Sequence, residues 1–223
     1  MCNRFTMTYS GEVLRQYLGL DEIDEALGIP RYNVAPSQTI PVLRKQPSGK
    51  LELVGMKWGL VPKWATADSH ASVGFLNARS ETVGEKPAFR DAANRRRCAI
   101  PADGYIEWTT IGKKKQPHWF RWHGGQPFLF AALWEPGTPE TAAILTREAN
   151  ADTREFHDRM PVILLKERLN DWLDETRDWD SARTLLDVTA RGAITQISIH
   201  PKINSSKSEN REWLTEYRDT LFG

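Results

Sequence analysis

The chain begins Met1-Cys2-Asn3-Arg4, and the second residue carries its least common chemistry. Cysteine is small enough for an initiator methionine before it to be removed. Removal would leave Cys2 with a free α-amine beside its thiol. Such a 1,2-aminothiol condenses with an aldehyde in two steps. The amine forms an imine, and the thiol then closes on the imine carbon to give a five-membered thiazolidine ring. Because one residue supplies both groups, the second step is intramolecular. Reference pKa values of about 7.7–8.0 for the amine and about 8.5 for the thiol leave both usable near neutrality. The bland alternative is a frayed terminus without chemistry.

Other residues could serve such a centre. Glu107 lies in Gly104-Tyr105-Ile106-Glu107-Trp108, a carboxylate among apolar and aromatic neighbours. Burial there would raise its pKa and suit it to proton transfer, whereas an edge strand would leave it exposed and idle. His157, followed by Asp158 and Arg159, is either a proton carrier or a residue at a helix C-terminus facing the dipole. Asn77 sits in an extended segment that disfavours asparagine, so either its amide is employed or a turn or bulge holds it. The runs Arg95-Arg96-Arg97 and Lys113-Lys114-Lys115 have the composition of nucleic-acid patches. One precedes a strand and the other occupies a hairpin tip, so solvated charge is the expectation for both. Cys98 is expected to be a buried structural thiol.

Elements must position these groups. Cys2 to Thr8 reads as a strand, and Gly11 to Gly28 has helical spacing with a break near Gly19. Pro30 to Gln38 reads as a loop. Ile40 to Arg44 and Leu51 to Trp58 read as strands joined by the turn at 47–50, and Trp58 to Trp64 as an irregular surface segment. Phe75 to Arg79 is extended, with Asn77 and Arg79 on one face and Ala78 on the other. Ser80 to Ala93 reads as a possible helix. Tyr105 to Thr109 is a strand with Tyr105 and Glu107 facing one way, Ile106 and Trp108 the other. Strands are expected at 118–122, 128–134, 141–146, 162–165 and 194–199. Helices are expected at 150–156, 169–173, 182–186 and 209–221. Hairpin spacing implies antiparallel pairing. The expectation is one α+β domain over residues 1–223, with a mainly antiparallel, barrel-like β core flanked by helices.

Composition narrows the function classes. With 40% hydrophobic and 26% charged residues among 223, the chain has the balance of a soluble globular protein. No apolar run spans a membrane and no signal peptide precedes the first strand, so a cytoplasmic protein without a membrane partner is expected. Two cysteines without a C-x-x-C pair, and five scattered histidines, give no reason to expect a metal, and no cofactor is expected. A net charge of +1 means that any nucleic acid must be held by a local groove of arginine and lysine. Most of the nine tryptophans are expected to fill the core.

Six motifs then occur in order: Met1-Cys2-x-Arg4-Phe5, Arg31-Tyr32-Asn33-Val34-Ala35-Pro36, Trp58-Gly59-Leu60-Val61-Pro62-x-Trp64, Asn77-Ala78-Arg79-x-Glu81-Thr82, Ile100-Pro101-Ala102-Asp103-Gly104-Tyr105-x-Glu107-Trp108 and His157-Asp158-Arg159-Met160-Pro161. Together they resemble the SRAP family, the SOS response-associated peptidase or abasic-site processing proteins, in a bacterial form. The likeness runs from Cys2 to about Leu165, and the tail beyond adds little. One departure is Asn3, where many relatives carry glycine. The resemblance implies a monomer that binds single-stranded DNA at an abasic site and forms a thiazolidine with the ring-opened sugar. By motif match Cys2 would supply amine and thiol, Glu107 and His157 would move protons, and Asn77 would position the terminus. Arg4, Arg79 and Arg159 would hold phosphates, while Asn3, Pro36, Trp64 and Thr146 would line the path of the strand. When acting on DNA the protein would sit with the nucleoid. Two rivals remain: an N-terminal-nucleophile cysteine peptidase with autoproteolytic activity, and a single-strand binding module without chemistry.

Overall fold

The computed structural model describes residues 2–66, 74–186 and 192–217. Its strands are β1 (Phe5–Met7), β2 (Arg31–Val34), β3 (Thr39–Lys45), β4 (Leu51–Trp58), β5 (Asn77–Arg79), β6 (Arg97–Ala102), β7 (Gly104–Ile111), β8 (Lys114–Trp122), β9 (Phe128–Glu135), β10 (Thr141–Glu148), β11 (Arg159–Pro161), β12 (Ile163–Leu164) and β13 (Ile194–Ser198). Short helices α1 (Gly11–Leu18), α2 (Arg90–Arg95), α3 (Leu169–Trp172) and α4 (Trp179–Arg183) lie between them. The class is α+β.

Strands β4, β3, β6, β9 and β10 pair in succession, and β10 returns to pair with β4, so the sheet closes on itself as a barrel. Its strands are apolar on both faces because both are covered. Cys98, Ile100, Phe130, Ala132, Ala142 and Ile144 point to an inner core, while Ala99, Leu129, Ala131, Leu133, Ala143 and Leu145 pack beneath the helices. A second sheet runs β13-β8-β7-β1-β2. Its inner face adds Phe5, Tyr105 and Phe120 to the inner core, and its outer face carries Ile106 and Trp108 into a small cluster with Ile199, Ile203 and Leu214. The two faces read from the sequence for 105–108 are therefore both covered, against different partners, with Trp108 only partly buried.

The first strand is held by a buried carboxylate. Asp103 accepts hydrogen bonds from the Thr6 hydroxyl and from both the backbone N–H and the hydroxyl of Thr8. Trp119 Nε1 donates to Thr6 Oγ1 at 3.0 Å. The indole reaches it only because residue 104 is glycine: a Cβ there would overlap Trp119 Nε1. With Phe5 opposite Tyr105 and the Ile106 N–H donating to Arg4 O, β1 is locked in register on β7.

Several local expectations are corrected. Residues 31–34 form an edge strand where a loop was expected, because β1 supplies their ladder. The segment 80–93 is mostly turns, with helix only from Arg90. Residues 150–156 make isolated turn bonds without extending to a helix. In place of a last helix, Arg211–Leu214 is a single 3₁₀ turn, after which Glu216 bridges to Ile199; residues 218–221 lie outside the described residues. Strand β10 pairs in parallel with β4 and β5, which hairpin spacing could not show. The arginine run is solvated only at Arg95: Arg96 and Arg97 are buried. Arg96 pairs with Asp91 and Glu135, and Arg97 donates to the carbonyls of Ala93, Asn94, Trp172, Asp174 and Arg177. Lys113, Lys114 and Lys115 are exposed at their hairpin tip, and Cys98 is buried.

Replacing Asp103 with Asn would leave an amide N–H facing the Thr8 donors. Urea denaturation of Asp103→Asn is expected to show a loss of about 2 kcal/mol, the scale of a hydrogen bond to a charged group. An unchanged midpoint would mean that β1 does not depend on this carboxylate.

Candidate active site

Cys2, the first described residue, is buried and not frayed. Cys2 has no exposed surface, and its thiol donates to Arg4 O at 3.7 Å. Asn77, the first residue of β5, donates from Nδ2 to Cys2 O at 3.0 Å and to Asn3 Oδ1 at 3.4 Å. The asparagine that strand propensity disfavours thus fastens the terminus to the barrel. Arg79 follows on the same face of β5, exposed, its guanidinium making no hydrogen bond or ion pair with another described residue.

Glu107 comes from the middle of β7, on the inner face shared with Tyr105, and only 5% of it is exposed. Burial pushes its carboxyl up to about 7, with the amino-terminal charge opposing and Asp158 adding to the rise. Burial also pushes the Cys2 thiol well up, and the negative charge of Glu107 adds to it. The Tyr105 hydroxyl is raised by burial and then by Cys2 and Glu107. His157 lies half-buried in the turn before β11, and burial followed by the amino-terminal charge lowers its pKa.

His157 Nδ1 accepts the Arg159 N–H at 2.9 Å, which leaves the proton of the neutral ring on Nε2. Asp158 Oδ1 is 2.7 Å from the same Nδ1. One nitrogen cannot accept and donate at once, so the two contacts belong to different protonation states. The lowered pKa selects the neutral ring at neutrality.

The arrangement pairs a thiol with a carboxyl poised to gain or lose a proton near pH 7, and sets a neutral imidazole nearby. That combination suits covalent chemistry with proton transfer. No group of His, Cys, Asp and Glu among the described residues could hold a metal ion.

A family model described as SOS response associated peptidase (SRAP) matches residues 1–206. The chain belongs to the SRAP family. Abasic site processing protein YoqW of Bacillus subtilis (strain 168) is 34% identical over 97% of this chain and 100% of its own length. Abasic site processing protein YedK of Escherichia coli (strain K12) is 31% identical over 90% of this chain and 91% of its own. A crystal structure of a Bacteroides thetaiotaomicron protein superimposes with a TM-score of 0.84 at 24% identity, covering 97% of this chain and 100% of that one.

The other residues singled out by SRAP motifs are dispersed around the centre. Arg79, Thr146 and Arg159 meet across β5, β10 and β11, where Thr146 pairs with Arg79 on one side and Pro161 on the other. Arg159 holds Glu81 in a two-pronged ion pair at 2.7 and 2.8 Å and donates to Thr146 O at 2.7 Å. Thr146 is fully buried. Arg4 is half-buried on the outer side of the second sheet, over Trp108. Pro36 is partly buried next to Ser37, whose φ of 66° and N–H bond to Trp58 O turn the chain sharply. Trp64 is 57% exposed beyond the end of β4. No hydrogen bond ties Pro36 or Trp64 to Cys2 among the described residues. Sequence reasoning quoted Glu81 only inside a motif and missed Tyr105 as a group influenced by Cys2; the shared face of 105 and 107 was the available signal.

The raised Glu107 carboxyl has a consequence for stability. A carboxyl held higher in the folded chain favours folding fully below its unfolded pKa and loses that contribution as pH rises through about 7. Above pH 7, Glu107→Gln is expected to be more stable than the parent by about 3 kcal/mol, and the gap should close below about pH 5. Thermal melts of both proteins across pH 4–9, roughly that window, check the sign; a gap that widens as pH falls would contradict it.

Proposed function

We propose that this SRAP protein processes abasic sites in single-stranded DNA by forming a covalent thiazolidine through Cys2 after Met1 is removed. The observation that carries the reading is the burial of Glu107 beside the Cys2 thiol, with its carboxyl at about 7. Supporting it, curated relatives of the chain are named abasic site processing proteins.

The steps balance without a cofactor. The Cys2 amine adds to the aldehyde of the ring-opened sugar, and the carbinolamine loses water to give an imine. The thiol then adds to the imine carbon. Its proton passes through Glu107 to the imine nitrogen, closing the ring. A carboxyl near 7 can donate to the departing hydroxyl and then accept from the thiol, which burial keeps protonated in the free protein. His157, neutral with its proton on Nε2, is suited to assist opening of the sugar. Asn77 holds the Cys2 carbonyl and so restricts the aminothiol to one approach. Arg79 offers its charge to a phosphate, and Trp64 offers a stacking face to an unpaired base. For Arg159 to meet a phosphate, Glu81 must give up its place.

Replacing Cys2 with Ser separates this reading from its rivals. An aldehyde trap loses its stable adduct, a peptidase loses cleavage, and a pure binder changes in neither. Glu107→Gln and His157→Ala are expected to slow adduct formation by about 10²–10⁴-fold while sparing affinity for undamaged single strands. Equal losses of rate and affinity would make both residues structural.

Arg79→Ala is expected to flatten the log–log salt dependence of single-strand binding by about 0.7, the share of one phosphate contact. Lys114→Ala, in the exposed hairpin tip, should change it far less. The reverse pattern would put the strand on another face.

A further inference from the structure

Some partly buried arginines pair with carboxylates, but Arg4, like Arg31 and the buried Arg97, is held by neutral oxygens. Arg44, Arg96 and Arg159 each face carboxylates. Arg4 Nη1 donates instead to Asn33 Oδ1 at 2.8 Å and to Ile203 O at 3.4 Å, both neutral acceptors. Its charge is therefore fixed in place without being cancelled, which is what recognition of an external anion requires.

Asn33 makes this possible with both ends of its amide. The residue has no exposed surface. Its Oδ1 takes the Arg4 bond, and its Nδ2 faces the carbonyls of Ile203, Ser205 and Ser208 at 3.1, 2.8 and 2.9 Å. Three acceptors share two amide hydrogens. An aspartate here would turn a negative oxygen toward three carbonyls and cancel the charge of Arg4. An apolar residue would leave those carbonyls without their donor. The segment is fastened again where Glu209 Oε2 accepts the Tyr32 N–H at 2.8 Å and Trp108 Nε1 donates to Asn204 Oδ1 at 2.7 Å.

We propose that Asn33 is a positioning residue for Arg4, and that through it the segment 203–208 forms part of the nucleic-acid site. This rests on the reading above, in which Arg4 holds a phosphate. Asn33 acts through Arg4 and touches no substrate itself.

The test is a four-protein cycle of the parent, Arg4→Ala, Asn33→Ala and the double variant. Each is titrated with an undamaged single-stranded oligonucleotide across a salt series, and its adduct rate with the abasic oligonucleotide is followed in parallel. Arg4→Ala is expected to flatten the salt slope by about 0.7. Asn33→Ala should lose most of the same slope, and the double variant should bind within about twofold of Arg4→Ala, as coupling through one shared group demands. If the single losses multiply in the double variant, or Asn33→Ala keeps the parent slope, Asn33 does not act through Arg4. Arg4→Ala binding like the parent also overturns the proposal, while adduct formation by the parent would leave the functional reading standing. An absent adduct in the parent removes the functional reading, yet the binding cycle still reads the coupling. If Asn33→Ala melts below the assay temperature, Asn33→Ser, which keeps one donor and one acceptor, carries the same cycle.

Discussion

Chain termini usually fray, because few contacts repay the entropy of ordering them. Here the first residues of the described chain are among the best fastened. Asp103 gathers three donors from Thr6 and Thr8, Trp119 caps Thr6, and β7 fixes the register. Asn77 then holds the Cys2 carbonyl from the barrel side. The position of Cys2 follows from these bonds. A reactive group at a terminus is useful only if the terminus is as ordered as a strand in mid-sheet.

Electrostatics around that terminus are arranged at a cost. Glu107 is buried with its carboxyl near 7, so part of the fold's stability above neutrality is given up to keep it there. The arginines divide by partner. Arg159 is neutralised by Glu81, Arg4 is held by neutral oxygens, and Arg79 stands exposed. With a net charge of only +1, such local placement decides where an anion can bind.

The sequence made the chemistry easier to read than the packing. Cys2, Asn77 and Glu107 stood out because each is an unusual residue for its place, and the alternation across 105–108 survived because the two faces of β7 meet different clusters. Arg96 and Arg97 could not be read as buried, since some of the partners that bury Arg97 are carbonyls 75 or more residues away. The parallel pairing of β5 with β10 leaves no local trace either. The tail beyond Leu165 adds little to the motif resemblance, and nothing in residues 203–208 marks them out. In the structure its carbonyls surround Asn33, and the signal was the buried amide in the Arg31–Pro36 motif, whose partners only the fold supplies.

The proposed chemistry stands or falls on the identity of the bond at Cys2. Intact mass measurement after incubation with an abasic single-stranded oligonucleotide, with and without borohydride, tests it most directly. The predicted product is protein lacking Met1 plus the oligonucleotide less one water, localised to the Cys2 peptide and unchanged by borohydride, because a closed thiazolidine has no imine to reduce. A product that keeps Met1, one that gains two hydrogens on reduction, or no covalent product at all would contradict it.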